Sequence, residues 1–537
     1  MNIDISSKII LTISLLIFMG CGSSAIVSTP VENIDTTPLK VSELTEIEQK
    51  TWSHLDLIKD TIPGMSVHKA YTELIKNKKG KTIIVAVIDS GIDIDHEDLN
   101  DVIWTNKNEI PNNGKDDDNN GYIDDIHGWN FLGEARFEQL EYVRLLVSGD
   151  RNNPRYSEAL SEYNETNQKY LNLKAQYEQL INEVNVADKI VSKHLKKKGY
   201  TITEVNAIKT ENKALQESVA LIQFIFRSDF ETIAVAMTAF ENDLTKITNR
   251  LNYHLNKTFK GRQTDDDIND LTDVGYGNGN VKPIDKSENH GTHVAGIIAA
   301  ERNNSKGVKG VANNVKIMAI RNTPSGDEYD KDVALAIRYA VDNGAKIINM
   351  SFGKYYSPHS DWVRDAIAYA GDKDVLIIHG AGNESLNLDL KNSFPNDQLN
   401  SDVEVSDNFL SVGAITQKYG SGLIAKYSNY GKINVDVFAP GSAIHSTFPE
   451  NSYETIQGTS MAAPAVAGIA ALIRSQYPKL TASEVKQIIM ESGVSINTKL
   501  VVAGDSNTIK ELHQISKSGK IVNAYNALIQ ASLIARQ

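Results

Sequence analysis

Two kinds of apolar run alternate along much of this chain. The first is short and β-branched. Ile83-Ile84-Val85-Ala86-Val87-Ile88 and Val375-Leu376-Ile377-Ile378 are apolar at every position. Both faces of such a run need burial, as in the strands of a parallel sheet. Stretches near 126–131, 315–320, 346–350 and 409–413 fit the same sheet. The second kind is longer and rich in alanine, glycine and isoleucine, at 291–300 and 461–474, and reads as buried helix. Strands alternating with helices predict a three-layer α/β domain, a mostly parallel sheet with helices on both faces.

Between residues 134 and 282 the pattern changes. Leu, Glu, Lys, Gln and Asn dominate, and Leu160, Tyr163, Tyr170, Leu173, Tyr177, Leu180 and Val184 step by three, four or seven. That spacing predicts one face of an amphipathic helix. Thr201-Ile202-Thr203-Glu204 has the form of a capping box opening another helix. Phe230 to about Phe259 predicts a third, and Gly149, Pro154 and Lys198-Gly199 mark turns. The segment 134–282 is therefore expected to be an α-helical insert, a hairpin or small bundle. Its Asp265-Asp266-Asp267-Ile268-Asn269-Asp270 stretch reads as a solvated loop rather than a cation site.

Three motifs carry chemistry. Gly458-Thr459-Ser460-Met461 sets a serine at a helix start. Unpaired N–H groups and the positive dipole end favour negative charge there, although an N-cap serine would look the same from this peptide alone. Asn289-His290-Gly291-Thr292-His293 opens the other small-residue helix, and Asp89 closes the 83–88 run before Ser90-Gly91. A carboxylate at the carboxyl end of a parallel strand lies where catalytic groups collect. A serine attacks a carbonyl when a base takes its proton and a third group orients that base. Asp89, His290 and Ser460 supply one of each, in an order known for this constellation. The Gly-x-Ser-x-Gly elbow of another order is absent, because residue 462 is alanine.

Together these motifs resemble those of the subtilisin-like serine proteases (subtilases). The resemblance covers about Asp60 to Asn130 and Asn289 to about Ala527, within a catalytic domain expected at 51–133 and 283–537. It implies Ser460 as nucleophile, His290 as general base and Asp89 as the group that orients it. It implies Asn383, in Gly380-Ala381-Gly382-Asn383, as an oxyanion donor beside the Ser460 N–H. Ser351, Phe352 and Gly353 become the strand end that pairs with the substrate main chain. The expected reaction is hydrolysis of protein or peptide substrates through an acyl-enzyme. A silent scaffold or an amine-accepting acyltransferase would share these motifs. His293 reads as a core residue.

The resemblance further implies structural calcium. Asp98 would give its carboxylate, Asn304 its side-chain oxygen, and Arg302, Lys306 and Val308 their carbonyls, with Asp60 as an N-terminal ligand. A second calcium candidate comes from spacing alone. Asp116, Asp118 and Asn120 alternate and Gly121 follows, as in the first half of an EF-hand loop. His127 stands where the bidentate glutamate belongs, leaving Asp124 or Asp125 to serve. An acidic turn between strands would carry the same residues.

Composition bears mainly on location. The 537 residues have a formal net charge of -13 and one cysteine. They leave room for more than one domain, lack the basic stripe of a nucleic-acid binder, and exclude an intramolecular disulfide. Lys8 and the run Ile9 to Met19 read as an export signal, too short to span a bilayer. Residues 1–20 are then a signal peptide. Cys21 resembles the lipidated cysteine of a bacterial lipoprotein, with 21–50 as its tether. The expected place is the bacterial cell envelope, as an outer-membrane lipoprotein held by Cys21, with a secreted soluble protein as the alternative. Asp89 and His290 are 201 positions apart, and the 134–282 insert returns just before His290. It reads either as a lid that selects substrate or as a stabilising or partner-binding appendage.

Overall fold

The computed structural model describes residues 40, 42–400 and 403–536. The signal segment and Cys21 lie outside these residues. The first apolar run forms strand β1 (Ile83–Asp89), buried on both faces. Val85 and Val87 join one core cluster, while Ala86 and Ile88 join a second on the opposite face. This is the period-two alternation of a strand between two helical layers.

Eight more strands complete the sheet: β2 (Gly128–Asn130), β3 (Val315–Arg321), β4 (Ile347–Met350), β5 (Leu376–Gly380), β6 (Phe409–Ile415), β7 (Val437–Pro440), β8 (Val494–Ser495) and β9 (Lys520–Ile521). Their order is β8-β9-β7-β6-β5-β4-β1-β3-β2. Neighbours are parallel except β8 and β9. The chain builds β2 and β3 on one side of β1, then crosses to β4 and its successors on the other. Strand order reverses at β1, so a crevice opens at the carboxyl ends there. The histidine helix (His290–Ala299) and the serine helix (Thr459–Gln476) contribute to the first core; helices Asp330–Asp342 and Ser360–Asp372 contribute to the second. The fold is the three-layer α/β arrangement that the alternating runs predict.

Residues 134–282 leave β2 and carry helices Glu141–Ser148, Tyr156–Leu195, Lys213–Arg227 and Ile233–Asn249. Thr201 and Glu204 cap reciprocally and open the short helix Ile202–Asn206. The 40-residue helix Tyr156–Leu195 bridges two small cores. Ala159 packs at the root with Leu140, Val143, Leu255 and Tyr356; Val184, Ala187 and Val191 pack distally with Ile222 and Ala236. Leu160, expected on the buried face, is 39% exposed, and Ala159 is buried in its stead. A helix needs a buried stripe only where a partner covers it, and the middle of this one has no fully buried residue.

Both roots of this segment are held by one buried cation. Arg321 ends β3 in register with Asp89. Its guanidinium donates to Gly133 O at 3.0 Å and Ala135 O at 2.7 Å on the outgoing side, and to Glu288 at 2.7 Å on the returning side. Asp266, expected in a solvated loop, has a side chain 1% exposed that accepts from Arg262 at 2.9 Å and Lys331 at 2.8 Å. A carboxylate is buried at tolerable cost when cations and hydrogen bonds surround it, and Lys331 is too distant in sequence for any local pattern to signal the pair. Arg321→Met leaves Glu288 buried without its cation. It is expected to lower stability by about 3 kcal/mol, measured by urea unfolding in a Ser460→Ala background, with Glu288→Gln restoring part of the loss.

Candidate active site

Asp89 is the last residue of β1 and is 1% exposed. The histidine helix reaches it because its second residue has no side chain. A Cβ on Gly291 would lie 2.4 Å from Ser90 O and 2.9 Å from Gly91 O. Ser90 Oγ accepts the Gly291 N–H at 3.0 Å. His290 Nδ1 then meets Asp89 Oδ1 at 2.7 Å. A carboxylate accepts and cannot donate, so Nδ1 carries the proton and Nε2 keeps its lone pair. Burial opposes charging of the imidazole, but the Asp89 charge and hydrogen bond outweigh it and hold the His290 pKa above the ordinary value. His293, one turn on, is fully buried and donates from Nε2 toward Ile444 O at 3.1 Å and Glu454 O at 3.2 Å. Burial, with the neighbouring His290 charge, takes its pKa down to about 3. It ties the helix to the hairpin Ile444–Phe448 and Ser452–Ile456.

The serine helix contains Pro464. Proline has no N–H, so the carbonyl four residues earlier, that of Ser460, loses its helical donor. Ser351 Oγ supplies one at 3.0 Å, and is itself held by Asn349 Nδ2 at 2.9 Å. In return Ser460 Oγ donates to Ser351 O at 3.1 Å. Ser460 and His290 share no hydrogen bond here, a looseness that substrate-free sites commonly show. Ser351, expected as a substrate contact, thus clasps Ser460. Phe352 O accepts from His379 Nε2 at 2.8 Å, and burial holds that imidazole at a pKa of about 4, neutral. Gly353, by contrast, makes no main-chain hydrogen bond among the described residues.

Asn383 follows β5. Its Oδ1 accepts the Thr459 N–H at 2.8 Å and the Thr459 hydroxyl at 3.2 Å. Since a backbone N–H can only donate, the amide oxygen must face it, which leaves the amide NH₂ free. A Cβ on Gly458 would lie 3.5 Å from Asn383 Nδ2, 3.6 Å from Asn383 Oδ1 and 3.6 Å from Ser460 N, so the Asn383 amide and the Ser460 N–H meet beside Gly458. Asn429, fully buried, braces this loop: its Nδ2 donates to Ala381 O at 2.9 Å, and its Oδ1 accepts from Glu384 N at 3.1 Å and Leu386 N at 2.8 Å. Neither Thr459 nor Asn429 was singled out from sequence. Pro464 beside the serine was the one local signal, and it points to Ser351.

The calcium expectations fare unevenly. Asp98 and the 302–308 loop do meet, but N–H groups face the carboxylate. Asp98 accepts from Asn304 Nδ2 at 2.5 Å and from Val308 N at 2.8 Å. Asn304 Oδ1 is turned to Lys306 N at 3.0 Å, the Arg302 guanidinium lies over Tyr71, and Lys306 Nζ pairs with Glu97 at 3.0 Å. Asp60 accepts from Asp56 N at 2.8 Å within its own turn. The carbonyls of Arg302, Lys306 and Val308 accept no hydrogen bond among the described residues, so the oxygens that the calcium expectation calls on are not otherwise engaged. In the second loop Asp116 accepts from Asn120 N at 3.0 Å and Gly121 N at 2.8 Å, and Asp124 from Asn113 N at 3.1 Å and Gly114 N at 2.9 Å. Both shape the turn. Asn120 Oδ1 accepts from Tyr122 N at 2.8 Å, and Asp118 lies with Glu109 and Asp125.

Comparison with known proteins places this geometry in context. The model described as Subtilase family matches residues 80–509. A thermophilic serine proteinase of Bacillus sp. (strain AK1) is 41% identical over 195 residues, 36% of this chain and 44% of that protein. Thermitase of Thermoactinomyces vulgaris is 39% identical over 188 residues, 35% and 61% of the two chains. Subtilisin DY of Bacillus licheniformis is 35% identical over 209 residues, 38% and 71%. The match to the first two spans less than two thirds of their length.

A fluorophosphonate probe reads the site directly. Labelling of Ser460 needs neutral His290, so the rate is expected to fall as pH drops through a midpoint above the ordinary histidine pKa of about 6.5. Asp89→Asn removes the charge that raises this midpoint. It is expected to move the midpoint to lower pH and to slow labelling about 10³–10⁴-fold at its plateau, followed by mass spectrometry of the labelled peptide.

Proposed function

Because the chain belongs to the subtilase family, we propose that it is a serine endopeptidase that cleaves peptide bonds through an acyl-enzyme. The observation that carries this reading is the 2.7 Å Asp89–His290 bond, which fixes the histidine tautomer with Nε2 left as the base. Ser460 Oγ exchanges Ser351 O for His290 Nε2 and attacks the scissile carbonyl. His290 takes the serine proton and returns it to the leaving amine, while Asp89 stabilises the imidazolium. The oxyanion receives hydrogen bonds from Asn383 Nδ2 and Ser460 N–H. Substrate lies extended along residues 351–353, where the Gly353 main chain is open to strand pairing.

The insert takes part in this on our reading. Lys354, next to Gly353, is buried and donates to Glu141 at 2.8 Å, Asp330 at 2.9 Å and Glu328 O at 2.8 Å. Arg144 bonds the same Glu141 and donates to Asp327 O at 2.9 Å and Glu328 O at 3.0 Å. Burial would raise the Glu141 pKa, but Arg144 and Lys354 outweigh it and hold it near about 2. A cleft of about 510 Å³ lies against this helix, lined by Leu145, Arg155, Tyr329, Tyr356 and Phe394 among others. These contacts end at Lys354, next to Gly353, and this supports a substrate-selecting arm over a stabilising or partner-binding appendage. The protein is exported and held at the cell envelope through lipid on Cys21. Among the described residues no helix is long and apolar enough to cross a membrane.

Two measurements test these assignments. Purified enzyme is expected to cleave a peptide library, Ser460→Ala to cleave nothing, and Asn383→Ala to lose about 10²–10³ in kcat with KM little changed; wild-type protein that is labelled but cleaves no peptide would overturn the reading. Glu141→Gln weakens the tie between the insert and Lys354. It is expected to raise KM for extended peptides about tenfold, some 1.4 kcal/mol, with the Ser460 labelling rate unchanged. An unchanged KM for extended peptides in that variant would place the helix outside the substrate path.

A further inference from the structure

A cleft of about 770 Å³ opens between the first helix (Glu46–Thr51), the second half of the histidine helix and the hairpin strand Ile444–Phe448. Asp89, His290 and Ser460 do not line it, so the catalytic reading leaves it unused. Its volume is that of a small-molecule site. Ile47, Leu55, Ile297 and Ile444 give it an apolar wall.

Its polar side is built from nitrogen. His54 and His68 line the cleft edge to face, with ring centroids 5.3 Å apart and planes at 87°. His54 is 8% exposed, and neither of its ring nitrogens has a hydrogen-bond partner among the described residues. Burial, and then the positive charges of Arg302, His68 and Lys309, hold its pKa well below the ordinary value. The ring is therefore neutral near pH 7 and carries one N–H donor with nothing to receive it. A buried donor in that state costs free energy until a ligand meets it.

The charges around this ring do not balance. Lys309 lines the cleft, is exposed and meets no carboxylate among the described side chains. The Arg302 guanidinium donates to Gly310 O and lies over Tyr71, again without a carboxylate. Glu48 is the one acidic residue in the lining, and Lys40 neutralises it at 2.5 Å. Lys50, also in the lining, pairs outward with Glu46 at 2.7 Å. The cleft thus holds an uncompensated positive field against a low-dielectric wall, which draws in a negative ligand.

We propose that this cleft binds an organic anion, one carboxylate on an apolar body. The carboxylate lies at His54, His68 and Lys309, and the body lies against Ile297 and Ile444. Two neutral imidazoles and one ammonium suit a singly charged group, and a bare inorganic anion would leave the apolar wall unfilled. A fatty acid and a peptide carboxyl terminus with an apolar last residue both have this chemistry. The proposal does not depend on the catalytic reading.

The test uses the full-length chain carrying Ser460→Ala, which prevents self-digestion. Equilibrium dialysis measures binding of radiolabelled octanoate and N-acetyl-leucine, with octanamide and N-acetyl-leucinamide as their neutral counterparts. At least one anion is expected to bind about tenfold tighter than its amide. Binding of octanoate alone identifies a fatty acid, and of N-acetyl-leucine alone a peptide terminus. Lys309→Glu reverses an exposed charge and is expected to weaken binding about tenfold with Tm unchanged. His54→Phe keeps an aromatic ring and removes both nitrogens, with a similar loss expected; thermal unfolding checks that it folds, and Lys309→Glu decides if it does not. Affinity unchanged in one variant overturns that residue's role, and in both overturns the cleft as the site. Equal affinity for anion and amide overturns the charge argument. Inorganic phosphate bound as tightly as the better probe overturns the apolar body. Neither anion bound by the parent overturns the proposal.

Discussion

The hydrogen bond from His290 to Asp89 depends on backbone meeting backbone, and the rest of the site is arranged around that contact. Asp89 is rigid because β1 is buried on both faces. His290 reaches it because Gly291 lets the helix start sit against the Ser90 and Gly91 carbonyls. Any side chain at 291 would push the imidazole away, since the atoms it would strike are main chain. The neighbouring strand β3 carries Arg321 in register with Asp89, so the roots of the long helical segment are anchored one strand from Asp89.

On the serine side, backbone groups left without helical partners do the positioning. Pro464 frees the Ser460 carbonyl, and Ser351 satisfies it, which links Ser460 to the residue that follows β4. Thr459 N–H lies in the first turn and has no helical acceptor. Asn383 Oδ1 accepts it, and this fixes which end of the amide is left free. Each satisfied backbone group therefore also sets the orientation of a reacting one.

Buried charge is handled in two ways in this molecule. Around the insert root, Lys354, Arg144, Arg262 and Arg321 meet carboxylates directly. These pairs join the helical segment to the substrate edge, and removing one partner would leave the other uncompensated. The Glu109–Asp118–Asp125 cluster has neutral donors alone.

The two-sided apolar strands, the small-residue helices and the identities of Asp89, His290, Asn383 and Ser460 were legible in the residues, because each depends on local periodicity or on motifs a few residues long. The helical character of 134–282 was legible for the same reason, though Leu160 shows that periodicity cannot say where along a helix a partner lies. What tertiary structure decided were contacts between distant segments: Ser351 on Ser460, Asn429 under the oxyanion loop, Arg321 across the insert roots, and Lys354 on Glu141. It also decided the direction of polar groups. Asp98 and Val308 are neighbours as expected, with the Val308 N–H on the carboxylate, and Asp116 and Asp124 turn to backbone. Sequence specifies which groups a segment carries; only the folded chain settles which way a carbonyl, an amide or a carboxylate points, because that is fixed by hydrogen-bond partners brought from elsewhere in the chain.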